Sequence, residues 1–223
     1  MPHPVPTPIF HITPIVNLAA IAQAGVLYSK RELLARKLVP ANISYDQIQA
    51  RRAVRQVPLP PGGTLHDYVP FHFAPRSPML DTINRGNVPN CPHRQKDIVH
   101  LVGEAQGVAA AGLPFVFTDF HAVMNMAHFF NNLNNLSNIN WDVLFDPPRL
   151  GGYCKYYFSD ETKLRYATRG ETRQAEFLVH GTVPINQVNR IAVLDQGALV
   201  RVNQALAGTA WAPTVEVVRD WYF

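Results

Sequence analysis

Cysteine is scarce in this chain, and so are acidic groups and long apolar runs. The two cysteines, Cys91 and Cys154, make neither a metal-ligand spacing nor a disulfide framework, so a reducing compartment is expected. No stretch approaches the roughly 18 apolar residues of a membrane span, and the proline-rich start has no signal-peptide core. The expectation is a soluble, cytoplasmic protein that makes no use of a membrane. The 16 acidic residues face 20 Lys and Arg, a formal net charge of +4. That balance suits a polyanionic partner without demanding one, because a solvated surface slightly richer in Arg gives the same sum. What the chain does have is apolar content: 47% of 223 residues can fill a core, so one domain over residues 1–223 is expected. Residues 1–8, with four prolines, read as a flexible or extended leader to that domain.

Within this apolar text one carboxylate stands out. Ala175 to Val179 reads as a strand, with Ala175, Phe177 and Val179 on one face and Glu176, Leu178 and His180 on the other. Gly181 and Pro184 end it. A Glu in a buried strand costs several kcal/mol, on the order of the desolvation of any unpaired charge, unless its charge is needed there. The alternative is an edge strand on which Glu176 is simply wet.

Ile9 to Thr13 reads as a strand feeding a helix, with Thr13 as N-cap, Pro14 at the first helical position and Gly25 as the stop. Such a corner offers main-chain N–H groups to a phosphate or a sugar, and His11 could join them or be a satisfied core residue. A short basic helix is expected in residues 29–40. A second helix starts from a capping-box spacing at Ser44 to Gln47, and Ile48, Arg51, Arg52 and Arg55 follow at offsets of three, four and seven. Either counterions or a nucleotide phosphate would relieve those arginines.

Further on, Tyr68 to Phe73 reads as a strand that Pro70 places at an edge or bulge. Ser77 and Pro78 start a helix, with Gly86 just past its end, immediately after Arg76, whose guanidinium needs an anion or a neighbour such as Asp81. Strands follow at residues 97–102 and 115–117. Asp119 is then expected to cap the longest helix, with Val123, Met126, Ala127, Phe130 and Leu133 along its core stripe and six asparagines fraying its end between Asn131 and Asn140. From Trp141 to Arg169, bases and aromatics interleave, including Arg149, Tyr153, Tyr157 and Arg165. That pattern fits single-stranded nucleic acid or an aromatic loop folded on its own domain. A strand region at residues 185–194, a helix at 198–206 and strand-like residues at 214–218 and 221–223 complete the chain.

Several of these stretches together resemble a known family. Phe10-His-Ile-Thr13 with Asn17-Leu18, Ile48-Gln-Ala-Arg-Arg52, Val69-Pro-Phe-His-Phe-Ala-Pro-Arg-Ser-Pro-Met-Leu80, Thr118-Asp119 with Ala122, and Arg173-Gln-Ala-Glu-Phe-Leu-Val179 resemble the DarT DNA ADP-ribosyltransferase toxins. The match covers nearly the whole chain. It departs from the family at His72, at His121 and over residues 146–168, the stretch that should hold the substrate loop.

The resemblance implies an α+β ADP-ribosyltransferase fold in which a split, bent β-sheet forms an NAD⁺ cleft with helices outside. Glu176 matches the catalytic glutamate, and Arg52 or its neighbour Arg51 the arginine that assists it. His11, Thr13 and Asn17 match the first NAD⁺-binding motif, with Arg51 and Arg52 beside them. The nucleic-acid side falls on His72, Arg76, Met79, His121, Arg169 and Arg173. NAD⁺ is implied as a substrate, no metal is expected, and the acceptor is a base of single-stranded DNA, in most of the family thymidine. The implied partner is a macrodomain antitoxin that reverses the modification, and the chain is expected to be monomeric. Two alternatives stand beside this reading: the same reaction on guanine or RNA, and a nucleic-acid-binding module without turnover.

Overall fold

The computed structural model describes residues 2–146, 149–150, 153–156 and 158–223. Met1 of the expected leader, and Tyr157 and the Arg149 side chain of the aromatic stretch, lie outside the described residues. The described strands are β1 Pro8–Pro14, β2 Val26–Tyr28, β3 Tyr68–His72, β4 Ile98–Glu104, β5 Phe115–Thr118 and β6 Phe129–Phe130, followed by β7 Arg149–Leu150, β8 Tyr153–Cys154, β9 Glu176–His180, β10 Thr182–Pro184, β11 Arg190–Val193 and β12 Thr214–Val217. Helices are α1 Leu18–Ala24, α2 Lys30–Ala35, α3 Asp46–Val54, α4 Pro78–Asn84, α5 Ala105–Ala110, α6 Trp141–Leu144, α7 Arg169–Thr172 and α8 Gln196–Leu206.

Eight strands form one sheet in the order β12-β11-β4-β1-β3-β9-β5-β6, antiparallel except at β11–β12. Seven register pairs join β1 to β4, and five join β3 to β9. Between these halves, β1 and β3 share only the pair Phe10↔His72, so the sheet is split there. Pro70 explains part of the split: it has no N–H to offer, and it lies in β3 on the side of the gap. Its carbonyl accepts instead from His11 Nδ1 at 2.8 Å, one side-chain bond across the opening.

The alternation read in β9 is the one observed. Phe177 and Val179 lie in the main core, where Phe177 meets the rings of Phe73, Phe115 and Phe117. Leu178 points the other way, into a smaller cluster with Val57, Leu65, Tyr68, Val116, Ala122 and Val123. Because both faces of β9 are covered and β3 and β5 flank it, Glu176 is not on a wet edge; it is 1% exposed.

Several local expectations are corrected. Thr7, just before β1, is anchored: it is buried, its N–H donates to Gln106 Oε1 at 2.8 Å, and its hydroxyl donates to Pro4 O. β1 runs through Thr13 to Pro14, and a 3₁₀ turn at Ile15–Asn17 precedes α1, so Thr13 caps nothing. The capping box at Ser44 does not form either: α3 starts at Asp46, and the Ser44 hydroxyl donates to Asn42 Oδ1. In the C-terminal stretch, Arg219–Trp221 is a 3₁₀ turn, and the Tyr222 hydroxyl lies 3.0 Å from the carbonyls of Ile98 and Ala192, within the core. The starts and stops that rest on Ser77-Pro78, Gly25 and Gly86 are as read.

The largest correction is at residues 119–133, where turns and the two-residue β6 replace the expected long helix. The loop closes instead in tight turns, Met124 N–H on His121 O and Ala127 N–H on Met124 O, and it is held from outside by Arg55 on the carbonyls of Ala122 and Met124 and by Arg51 on that of Val123. Asp119 accepts from the main-chain N–H of His128, at the far end of the loop, instead of from a first helical turn.

Gly103 of β4 shows how tightly the other half is closed. A Cβ there would lie 2.7 Å from the Gln187 carbonyl oxygen, which is main chain and cannot swing aside. Gly103→Ala should therefore destabilise by about 1–3 kcal/mol, as overpacking does. A melting temperature equal to the parent's would show that the Gln187 turn yields freely.

Candidate active site

Three segments far apart in sequence converge on the start of β9. The Glu176 carboxylate receives Arg52 Nη1 from α3, at 3.0 Å to Oε1 and 2.7 Å to Oε2. The Ala122 main-chain N–H donates to Oε1 at 3.1 Å, and His121 Nε2 stands 3.5 Å from the same oxygen. Behind them, the Glu176 N–H donates to Thr118 Oγ1, whose hydroxyl donates to Phe120 O at 2.6 Å. His72 lies opposite Glu176 in the β3–β9 register, on the same face of the sheet at the mouth of the split.

The electrostatics keep this carboxylate ionised. Burial pushes its pKa up, but the Arg52 guanidinium beside it pulls it down, and it ends below the ordinary glutamate value. The histidines go the other way. Burial drives His72 down to about 4, and it lowers His121 and His11 as well, so all three are neutral near pH 7. His11 Nδ1 must carry its proton, since the Pro70 carbonyl can only accept.

The first-motif residues are packed together. Asn17 Nδ2 donates to Thr13 Oγ1 and to Ala41 O, while Asn17 Oδ1 accepts from Ala41 N at 2.9 Å. Asn17 thus ties the end of β1 to the segment leading into α3. Arg51, one of the two candidates for the assisting arginine, is exposed and donates to Val123 O; Arg52 is the one on Glu176.

Arg76, Arg169 and Arg173 are all buried and form a second basic group, separate from the Glu176 contacts. Arg173 donates to the carbonyls of Leu144 and Arg76. Arg169 stacks at 3.7 Å on the Tyr166 ring, and Arg76 lies over the Phe223 ring at 5.6 Å. Asp81, the alternative neighbour for Arg76, pairs with Arg85. Met79 is partly buried against the main core.

Sequence reasoning missed three contributors: the Ala122 N–H, the Thr118 hydroxyl and the side chain of Arg55. A main-chain donor leaves no mark in the residue type, although Thr118 and Ala122 both lie in stretches that carry the resemblance. Among the described residues, no group of three His, Cys, Asp or Glu is placed to hold a metal ion. None of the described helices is long and apolar enough to cross a membrane.

The α+β fold with its split sheet matches solved ADP-ribosyltransferase structures. Thermus sp. 2.9 DarT in complex with ADP-ribosylated ssDNA superposes with a TM-score of 0.87 at 38% identity, covering 100% of this chain and 99% of that one. The same protein in complex with NAD⁺ gives 0.82 at 36% identity, covering 100% of both chains. In sequence, the chain is 41% identical over 223 residues to the DNA ADP-ribosyl transferase of Thermus sp. (strain 2.9), covering 99% of this chain and 98% of the relative. The family model "ssDNA thymidine ADP-ribosyltransferase, DarT" matches residues 10–223. The chain belongs to the DarT family.

Breaking the buried pair tests its electrostatics. Arg52→Gln should destabilise by about 3–5 kcal/mol near neutral pH, because it leaves a buried carboxylate unpaired. Glu176 is held below its unfolded pKa, so its contribution is present above that value, about 4.3, and lost as pH falls through the folded one. The penalty of Arg52→Gln should accordingly shrink toward pH 4, and adding Glu176→Gln should recover part of it. Denaturant unfolding of the four-member cycle measures this; equal penalties in both backgrounds would mean the two side chains are not coupled.

Proposed function

We propose that this chain, as one domain, transfers ADP-ribose from NAD⁺ to a thymidine base in single-stranded DNA, with Glu176 as the catalytic carboxylate and Arg52 as its partner. The supporting observation is that Glu176 is buried, ionised and fixed by an arginine and a main-chain N–H on a stiff strand. When the bond between C1′ and the nicotinamide nitrogen breaks, its electron pair leaves with nicotinamide and the ribose becomes oxocarbenium-like. A fixed anion stabilises that cation more than the neutral sugar, and the differential lowers the barrier. The thymine ring nitrogen that then bonds C1′ must lose its proton, and Glu176, its charge no longer opposed by the cation, is the base for it.

Two groups at the site support its fit to a substrate. Among the described residues, Arg52 Nη2 and His72 Nδ1 are buried without a protein partner, which costs about 1–3 kcal/mol each unless a bound molecule supplies one. His11, Thr13 and Asn17 belong to the NAD⁺ side, while His72, His121, Met79 and the buried Arg76, Arg169 and Arg173 belong to the DNA side. The split between β1 and β3 separates His11 from His121, so the two substrates would approach Glu176 from opposite halves of the sheet. A toxin role in the cytoplasm, restrained by a macrodomain antitoxin, is the corresponding biological reading and follows from family resemblance.

The test is mass analysis of an oligonucleotide panel incubated with NAD⁺. A thymidine-containing DNA should gain one ADP-ribose with release of nicotinamide, and thymidine-free DNA and RNA should not. Glu176→Gln should slow the reaction by at least about a hundred- to a thousandfold, the scale of a lost transition-state charge contact. Modification of guanine or RNA instead would change the acceptor, and the absence of any adduct would remove the transferase assignment.

A further inference from the structure

We propose that Arg55 is a positioning residue for this reaction: it fixes the main chain at Ala122 and thereby aims the Glu176 carboxylate and seats His121. The inference rests on the proposed transferase reading for its kinetic consequences, and on geometry alone for its structural ones.

Ala122 is held on both sides. Its N–H donates to Glu176 Oε1 at 3.1 Å, and its carbonyl accepts from Arg55 Nε at 3.4 Å. Arg55 Nη2 reaches past it to Met124 O at 3.0 Å, so one guanidinium spans two carbonyls of the same loop. The Arg55 fork is planar and lies 5.7 Å over the Phe129 ring at the far end of the loop, which limits its rotation. Arg55 itself is the C-cap immediately after α3, where its N–H bonds to Arg51 O, and its own carbonyl accepts from Leu65 N. The clamp is therefore mounted at the end of the same helix that carries Arg52 to Glu176.

This arrangement couples the two sides of the carboxylate. Arg52 holds it from α3 directly, and Arg55 holds it from α3 through the loop, so the helix and the loop cannot drift apart. Without Arg55, the loop keeps Asp119–His128 at its ends, the bond from Arg51 to Val123 and the turn bond from Met124 N–H to His121 O, but the Ala122 carbonyl loses the donor that fixes it. A shift of about 1 Å there would lengthen the Ala122–Glu176 bond and move His121 with it, a displacement that can cost about a hundredfold in rate. An ordinary surface arginine contacting DNA phosphates would do none of this; its guanidinium would face solvent and not loop carbonyls.

The experiment uses the full chain with Arg55→Ala and Arg55→Lys. Steady-state kinetics over a range of pH should show kcat reduced roughly ten- to a hundredfold, with the KM values for NAD⁺ and for a thymidine oligonucleotide changed less than about twofold. The acid limb of the profile should move to higher pH, because a carboxylate that loses an N–H donor is easier to protonate. Lys, which keeps the charge without the fork, should behave like Ala. A loss confined to KM for DNA and its salt dependence, or an unchanged kcat and acid limb, would overturn the proposal. Carbon-13 NMR titration of the Glu176 carboxyl in the same variants reads the clamp without turnover: an upward-shifted midpoint supports it and an unmoved one overturns it, even if the wild type proves to make no DNA adduct.

Discussion

The contact between Arg52 and Glu176 is the constraint on which the remaining structure depends. Each of these charges loses several kcal/mol of hydration on burial, and their attraction repays that only with good geometry and extra hydrogen bonds. The site supplies both: one guanidinium nitrogen lies against both carboxylate oxygens, and the Ala122 N–H adds a third hydrogen bond. It does not supply everything, since Arg52 Nη2 is left without a protein partner among the described residues. A pair that is ionised, rigid and incompletely satisfied is costly as a stabilising device and well suited to a group that must face a developing cation.

Much of the local architecture follows from keeping that pair in place. β9 must be interior, so both its faces are apolar and two core clusters meet on it. The sheet must nevertheless open beside it, and Pro70, with no N–H to donate, keeps β3 from zipping to β1 beyond Phe10↔His72. The loop over residues 119–128 is built of turns, with its amide at Ala122 aimed at Glu176 and its carbonyls engaged by Arg51 of α3 and by Arg55 just after it. The neutral histidines around the carboxylate fit the same logic: burial suppresses their charge, so they do not compete with Arg52.

What could be read from the sequence was whatever is encoded by near neighbours. The alternation from Ala175 to Val179, the Ser77-Pro78 start, the Gly25 and Gly86 stops and the α+β ADP-ribosyltransferase class all fall in that category, the last because the motifs are contiguous. What could not be read depends on partners many tens of residues away. The stripe from Val123 to Leu133 has helical spacing, yet its first residues form turns held by Arg51, Arg55 and the Asp119–His128 bond. Thr13 and Ser44 are good caps by residue type, but a strand that runs on to Pro14 and an Asn42 acceptor claim them first. Of Arg51 and Arg52, only the turn of the helix relative to β9 determines which one reaches the carboxylate, and periodicity without that partner leaves both open.

The central claim is that the Glu176 carboxylate is held where the nicotinamide ribose turns cationic. A crystal structure with a non-cleavable NAD⁺ analogue measures this directly. The account predicts a carboxylate oxygen of Glu176 within hydrogen-bond distance of a hydroxyl of that ribose, roughly 2.6–3.2 Å, with Arg52 still in contact. A ribose bound beyond the reach of Glu176, or a Glu176 turned away from the cleft, would contradict it.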